Sequence, residues 1–526
     1  YSLGAQHLNI VRGTDGHDPF RNSSLQGSLE GRPTTSSSLS ARIWTGDSFT
    51  AINDSPYAAP AGQLPPGGTI RAVPVSRQVQ RMIENGEPFE YGSANFVPNL
   101  NDPDSRRASR FLSGALRFTH NLAPGASYRL SYQRVTTRRL FGDGPAGVVF
   151  EPPFSTFDRI GGGIDTVQAR TDLQLARWNL LSGGYEFERE SYSNLHWADA
   201  AEVSLSERYS ADTSQRSHSA FFHNQSTLLG DRLHVSLSGR VQSFDLGSPH
   251  FTGGIAPYRD VRFTSPRAAR TGDAALAYFM PSTGTKLRAH IGNGYRAPSI
   301  YERLGAIFFN GTFSALGDPR LSPDRTVAFD WGIDQYLLGQ KLRVSATHYY
   351  TNLQEVIAFD SSGFINPATD PFGRTGGYFN TGGGIARGVE LTVEASPARS
   401  SRVFASYTYT NADQRNSTVR DNDYFKQVFI SDHQFTLVAT QRLTRRLDVA
   451  FDLWVVSEHP ALLSRRAFLF PGARKADLGG SYTVPLADGS SLRVSGKINN
   501  LFGSTYFENG FRAPGIWSTG GIALLF

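Results

Sequence analysis

The ten residues 233–242, Leu-His-Val-Ser-Leu-Ser-Gly-Arg-Val-Gln, decide the fold class of this chain. Apolar residues and one glycine occupy every second position, and polar residues occupy the positions between them. Successive side chains of a β-strand point to opposite faces, so this period of two predicts a strand with one apolar and one polar face. The same alternation returns at 128–133, 167–175, 327–334 and 389–394. We therefore expect an all-β chain.

The connections between the predicted strands alternate between short and long. We place short turns at 121–125, 229–231, 281–284, 338–340, 397–400, 443–445 and 486–489. Long loops fall at 48–108, 139–163, 191–214, 244–266, 296–324, 355–385, 412–427, 457–471 and 502–516. Outer-membrane barrels have tight periplasmic turns and long extracellular loops, whereas a soluble sandwich or propeller has no reason to keep such an alternation.

The pattern predicts a transmembrane antiparallel β-barrel of about 20–22 strands that occupies the whole of residues 1–526. The first predicted strand is Ser2–Val11 and the last is Trp517–Phe526. We interpret the terminal Phe526 as the aromatic residue that closes bacterial outer-membrane barrels. The loop at 48–108 is long enough for a further hairpin, which we expect at Thr69–Gln80.

The composition excludes several other classes of protein. No run of 18 apolar residues is present, so the sequence predicts no transmembrane helix. The absence of cysteine removes thiolate metal sites and thiol nucleophiles. The net charge of +6 comes from single arginines scattered along the strands, which gives no reason to expect nucleic-acid binding.

Possible enzyme and metal motifs have simpler explanations. His218 and His223 are five residues apart, which places them on opposite faces of a strand. No Lys-Ser or Lys-Thr follows the glycine triplets 161–163 and 382–384, and we interpret both as flexible segments before a strand. The acidic residues of 421–423 lack the length of a calcium-binding loop. We expect no catalytic site, cofactor or resident metal.

Several segments in the second half of the chain resemble TonB-dependent receptors. They are Gly294–Glu302 (GYRAPSIYE), Pro319–Asp324 (PRLSPD), Asn380 with Arg387–Leu391 (RGVEL), and Lys497–Phe502 with Tyr506 and Arg512–Gly515. Gly503 stands where the family usually has an acid, and Ile516 stands where arginine is common. The order and spacing of the four segments match the family, and they cover roughly residues 290–526.

This resemblance implies an outer-membrane transporter that imports a scarce nutrient such as an iron–siderophore or cobalamin. Its partners would be the TonB–ExbB–ExbD energy-coupling system, a small-molecule ligand and outer-membrane lipid. Members of the family carry an N-terminal plug domain and a TonB-binding box, and neither is recognisable in this sequence. We expect the plug, and with it a first hairpin, upstream of Tyr1.

The ligand of such a receptor would bind to the long loops. Ligand sites favour aromatic side chains with a few placed polar groups. The loops at 48–108, 296–324 and 355–385 supply our candidates, which are Tyr57, Phe308, Phe309, Asn310, Arg374 and Phe379. Two alternatives stay open: a passive porin-like channel, and an outer-membrane enzyme or adhesin.

Overall fold

The computed structural model describes most of the chain. It covers residues 1–13, 16–59, 69–149, 151–202, 208–253, 257–309, 312–360, 365–415, 424–426, 430–463, 466–487 and 489–526. Among these residues no helix combines the length and the apolar character needed to cross a membrane.

The described residues form 32 strands and two helices, numbered in chain order. The strands are β1 (Ser2–Ile10), β2 (Phe20–Thr34), β3 (Ser37–Ala51), β4 (Tyr57–Ala58), β5 (Ile70–Arg71), β6 (Phe96–Val97), β7 (Arg106–Ala123), β8 (Ala126–Asp143), β9 (Thr156–Ala176), β10 (Asn179–Ala198), β11 (Tyr209–Leu228), β12 (Leu233–Leu246), β13 (His250–Thr252), β14 (Ala269–Met280), β15 (Thr285–Arg296), β16 (Ala306–Phe309), β17 (Thr312–Ala315), β18 (Asp324–Leu337), β19 (Leu342–Asp360), β20 (Gly377–Thr381), β21 (Gly384–Ala395), β22 (Ser401–Arg415), β23 (Tyr424–Lys426), β24 (His433–Arg442), β25 (Leu447–Val456), β26 (His459–Leu463), β27 (Arg466–Phe470), β28 (Ala473–Pro485), β29 (Ser491–Asn499), β30 (Phe507–Glu508), β31 (Phe511–Arg512) and β32 (Trp517–Leu525). The helices are α1 (Arg77–Glu84) and α2 (Ile300–Leu304).

One large antiparallel sheet dominates the molecule. Of its 23 strands, the short strands β13, β20 and β23 extend loops, and the other twenty follow one another as neighbours in chain order. Within the described residues, β1 pairs with β2 and β32 pairs with β29, and β1 and β32 are not paired with each other. The predicted first and last strands are confirmed to within one residue at each end.

The sheet curls round on itself. Residues after β3 pair with residues after β25, since Ile70 of β5 lies opposite Phe468 of β27. Neighbouring strands are about 4.8 Å apart, so in a flat sheet these two regions would be separated by roughly 65 Å. Their pairing fits a sheet that curves round into a barrel shape, as predicted.

Short and long connections alternate along the whole wall, as the sequence predicts. We call the end that carries the short connections the turn rim and the opposite end the loop rim. At the turn rim, Leu229, Gly230 and Asp231 have φ angles of 53°, 62° and 65°. The central residue of the turn is glycine, which adopts this left-handed conformation without a steric penalty.

The apolar positions of the alternation face outward. Leu237 is 47% exposed, Val241 is 53% exposed and Trp331 is 52% exposed, and none of them lies in a core. In a soluble sandwich these side chains would be buried between two sheets. The exposed apolar surface therefore fits contact with lipid.

The inner face of the wall is polar and rich in ion pairs. Arg240 on β12 binds Glu186 on β10, with 2.5 Å between Nη2 and Oε1. Arg288 on β15 and Arg343 on β19 share Asp334, at 3.6 Å and 3.4 Å. His223 also faces inward and binds Ser236, whereas His218 faces outward and binds the hydroxyl of Tyr185, as the five-residue spacing predicts.

Two local predictions are wrong. Thr69–Gln80 forms no hairpin in the described residues: Ile70–Arg71 is a short strand, and Ser76 then caps helix α1 by accepting a hydrogen bond from the amide of Val79. The sequence after Ser76 is rich in good helix formers such as Gln, Arg and Met. Gly161–Gly163 lie inside β9 and are not a segment before it, because this strand and its neighbours β8 and β10 extend beyond the predicted limits.

Candidate ligand-binding site

The long loops pack into several hydrophobic clusters at the loop rim, and the two described first join loops that are distant in the chain. The first loop core joins the loop after β3 to the loops after β25 and β29. Phe96 lies at its centre and packs edge-on against Phe470 and Phe507, each 5.2 Å away between ring centroids. Arg466 donates a hydrogen bond to the carbonyl of Ala59 at 3.4 Å. These contacts fix a long loop in place on the barrel.

The second loop core joins the loop-rim ends of β10 and β11 to the loops that follow β12, β15 and β19. Tyr258 is completely buried at its centre, and its hydroxyl donates a hydrogen bond to the carbonyl of Gly317 at 2.6 Å. Burial raises the pKa of Tyr258 well above its ordinary value, so the phenol stays neutral. The side chains packed around it are Tyr192, Tyr209, Ala211, Ile300, Leu304, Ala306 and Ala315.

Arg374 ties two of these loops together and is only 2% exposed. Its guanidinium binds Asp370 at 2.9 Å and Asp318 at 3.1 Å, and it donates to the carbonyls of Gly317 and Tyr378. Burial would raise the pKa of Asp370, but the hydrogen bonds and charge of Arg374 outweigh it and hold that pKa below its usual range. We predicted that Arg374 contacts a ligand. In the structure all three nitrogens of its guanidinium instead bind partners inside the loop core.

Tyr57 and Phe379 lie in different loops. Tyr57 opposes Val97 in the short β4–β6 pair and packs against a separate cluster within the loop after β3, which includes Val75 and Leu100. Burial, and then the neighbouring Tyr91, raise the pKa of Tyr57 to about 12, so it remains a hydrogen-bond donor. Phe379 is half-buried on β20, opposite Ala358 of β19. The structure does not bring these two candidates to one site.

The other candidates are placed only in part. Phe308 and Phe309 end strand β16, which forms a hairpin with β17, and only their backbone is described. Asn310 lies outside the described residues, as do the acidic residues 421–423. Phe526 is fully exposed at the end of the chain. Ligand contact by all six candidates stays a prediction.

A cavity of about 460 Å³ lies between the inner wall and the segment 300–307. Its lining includes Thr137, Arg139, Ile160, Tyr192, Tyr301 and Ile307. This cavity is not apparent from the sequence, because its lining residues come from β8, β9, β10 and a distant loop. The triplet Gly161–Gly163 also lines the cavity and was the one signal available in the sequence.

An acidic cluster joins the base of the loop after β3 to the loop after β8. Carboxylate oxygens of Asp102, Asp104, Asp143 and Glu151 all lie within 4.8 Å of one another. Burial first, and then repulsion from neighbouring carboxylates, raise the pKa of Asp143 to about 6 and that of Glu151 to about 8. Such clusters are common without an ion, and we assign no metal to this one.

The curled antiparallel wall, apolar outside and polar inside, defines an outer-membrane type of β-barrel. The family described as "TonB dependent receptor-like, beta-barrel" matches residues 19–501. The chain therefore belongs to this family, whose members are receptors and transporters of the Gram-negative outer membrane and generally not enzymes.

Solved structures of the family share the fold. The ferric-catecholate import receptor Fiu of Escherichia coli K12 is 13% identical, with a TM-score of 0.67 over 99% of this chain and 77% of that one. BauA, the ferric preacinetobactin receptor of Acinetobacter baumannii, is 12% identical, with a TM-score of 0.63 over 100% and 75%. The copper transporter OprC is 13% identical, with a TM-score of 0.68 over 97% and 73%. No curated protein sequence matches the chain.

Proposed function

We propose that this chain is the barrel of an outer-membrane receptor that captures a scarce nutrient at its loop rim and imports it with energy from the TonB–ExbB–ExbD system. The observation that carries the proposal is family membership over residues 19–501. The nutrient is an iron–siderophore, cobalamin or a comparable metal complex. The barrel itself performs no covalent chemistry and needs no cofactor.

The two loop cores support a role in capture. Each core fixes several long loops against one another, and preorganised loops lose less conformational entropy when a ligand binds. Tyr57, Phe308, Phe309, Asn310 and Phe379 stay our candidates for ligand contact. We assign Arg374 a supporting role, since its guanidinium is occupied by Asp318 and Asp370.

Growth of a strain that lacks this gene tests the proposal directly. We expect the strain to lose growth on one member of a panel of iron chelates, cobalamin and limiting copper, and the gene to restore it. Copper is included because one similar structure is a copper transporter. Restored growth should disappear when TonB is also removed. Growth that the gene restores equally well without TonB would contradict energy-coupled import.

That contradictory result would favour the alternative function, a passive porin-like channel. The polar inner wall is compatible with such a channel. A porin admits small solutes of many kinds, so liposomes that contain the protein would swell in any small sugar. A receptor discriminates among ligands, so its transport should saturate and should be limited to one chemical class.

Deletion of the loop 297–323 provides a second test. This loop supplies Ile300 and Leu304 to the second loop core. We expect deletion to abolish uptake while the barrel still inserts in the membrane and keeps its heat-modifiable mobility on gels. The matched control is a two-residue insertion in the turn 281–284 at the opposite rim, which should leave uptake unchanged. Normal uptake by the deletion variant would refute a role of this loop in capture.

A further inference from the structure

The glycine triplet 161–163 lies in the wall of the barrel at the level of the loops. Gly162 is opposite Thr137 of β8 and Tyr192 of β10, so all three residues face inward. Glycine in the interior of a strand weakens it and often marks a place where another group approaches closely. A Cβ at position 162 would lie 3.1 Å from the backbone carbonyl oxygen of Ser191, so the chain packs closely here, and Gly162 lines the cavity described above with its backbone.

The walls of this cavity are mainly apolar. Aliphatic and aromatic side chains form most of the lining, and they are Val135, Phe141, Ile160, Ile164, Tyr301 and Ile307. At about 460 Å³ the cavity has the size of a small-molecule site. Tyr192 also lines the cavity, but its hydroxyl is buried away from it, close to the side chain of Asn194.

Two arginines at the cavity carry unpaired charge. Arg107 and Arg139 both line it, and neither forms an ion pair or a side-chain hydrogen bond within the part of the chain that the structure describes. The inward-facing Arg240 and Arg343 are by contrast paired with acids. The guanidinium of Arg107 lies 5.8 Å from the centre of the Phe141 ring, which leaves its donors free for a further partner.

The cavity also contains two acids. Asp158 binds the buried His196 at 2.9 Å, so its charge is already engaged. Glu190 lies near Glu188 and Glu302 and can accept a hydrogen bond from a ligand hydroxyl. Arg107 and Arg139 come from the adjacent strands β7 and β8, whereas Glu190 comes from β10.

We propose that this cavity binds the aryl part of an anionic ligand, with the ring between the apolar side chains and the carboxylate or phenolate on Arg107 and Arg139. The inference deepens the proposed function and rests on it in so far as the bound molecule is the imported nutrient. Binding itself can be measured without transport.

The probe is 2-naphthoate, an aryl carboxylate small enough for the cavity, titrated into the purified full chain in detergent. Thr137→Trp fills the cavity opposite Gly162 and should weaken binding at least about tenfold, since a ring then occupies the site. The matched control is Thr136→Trp, which makes the same change on the outward face of the same strand. We expect its affinity for 2-naphthoate to equal that of the parent protein.

The charge requirement is tested separately. The double change of Arg107→Gln and Arg139→Gln should weaken 2-naphthoate binding about tenfold, because charge-assisted hydrogen bonds are lost. Binding of the neutral analogue 2-naphthamide should stay as it was. Arg117→Gln is the control for the general charge of the lumen, since Arg117 also faces inward but lies nearer the turn rim.

Equal affinity of the parent and Thr137→Trp proteins, or no binding of 2-naphthoate to the parent, would overturn the proposal. Transport is scored independently by the growth panel. If 2-naphthoate binds as expected but no nutrient depends on the gene, the cavity is confirmed as a binding site for an aryl anion and the proposed transport function is refuted. If a nutrient depends on the gene but the Thr137→Trp variant binds 2-naphthoate normally, the proposed transport function is supported and binding in this cavity is refuted.

Discussion

Two buried arginines of the second loop core show how much the partners of a residue matter. Arg374 is 2% exposed and has four partners, whereas Arg303 is 4% exposed and donates one hydrogen bond, to the carbonyl of Pro319. Removing one partner of a buried ion pair costs about 3–5 kcal/mol. A buried charge without an acidic partner already carries an uncompensated desolvation cost, which an apolar side chain removes. We therefore expect Arg374→Met to loosen the loop core and Arg303→Met to leave it unchanged or tighter.

Hydrogen exchange of the segment 257–263, which contains Tyr258, measures both effects. Exchange should accelerate in the Arg374→Met protein and should not accelerate in the Arg303→Met protein. Arg374→Lys serves as a control because it keeps the charge but cannot form the planar, forked hydrogen bonds. Its exchange should be intermediate. Equal acceleration by both methionine variants would show that the hydrogen-bond partners of Arg374 do not decide the stability of the core.

At the scale of elements, the acidic cluster links the end of β8 to the segment that precedes β7. Asp54 lies next to this cluster. Burial, and then repulsion from neighbouring carboxylates, raise the pKa of Asp143 and that of Asp54 to about 6, and the pKa of Glu151 to about 8. Because these folded-state pKa values lie above the ordinary ones, the folded loops bind protons more tightly than unfolded loops do. The protonated carboxyl groups therefore stabilise the folded loops. This stabilisation is complete below about pH 4 and is lost as the pH rises through 6 to 8.

We expect the contact between these loops to weaken between pH 5 and pH 8. Hydrogen exchange of the segment 144–149, corrected for the intrinsic rate and measured with a chelator present, should show protection that falls over this range. Asp143→Asn removes one of the repelling charges and should flatten the dependence. Asp260→Asn in another loop is the control. Protection that increases with pH would contradict the expected sign.

At the scale of the whole molecule, the two faces of the wall should differ in their tolerance of charge. Leu237 faces outward from β12 and the adjacent Ser236 faces inward. An arginine on the lipid face costs about 2–4 kcal/mol at the middle of the bilayer, and the polar lumen accepts one readily. We expect Leu237→Arg to reduce insertion and the unfolding free energy in lipid, with Ser236→Arg close to the parent protein.

Folding into lipid vesicles at a series of urea concentrations measures this difference. The comparison is well matched, because both changes introduce the same residue one position apart on a single strand. A larger loss for Ser236→Arg than for Leu237→Arg would mean that the faces of this strand are assigned the wrong way round. That result would also contradict the outward direction of Val241 on the same strand.

The sequence by itself determined the wall of this protein. The alternation around 233–242, the turn residues at 229–231 and the order of short and long connections are local properties, because a side chain's face depends only on its place in the strand. They were enough to predict the barrel and its first and last strands. The resemblance of residues 290–526 to the family was also readable from local motifs.

Only the tertiary structure decided which residues act together. Arg374 looks like a ligand contact in the sequence, but its aspartate partners come from two loops that meet only in the folded barrel. Gly161–Gly163 look like a flexible segment until β8 and β10 pair on both sides of them. The cavity joins β9 to the distant segment 300–307, and the unpaired Arg139 stands out only beside paired neighbours. These features depend on contacts between residues far apart in the chain, which no local pattern encodes.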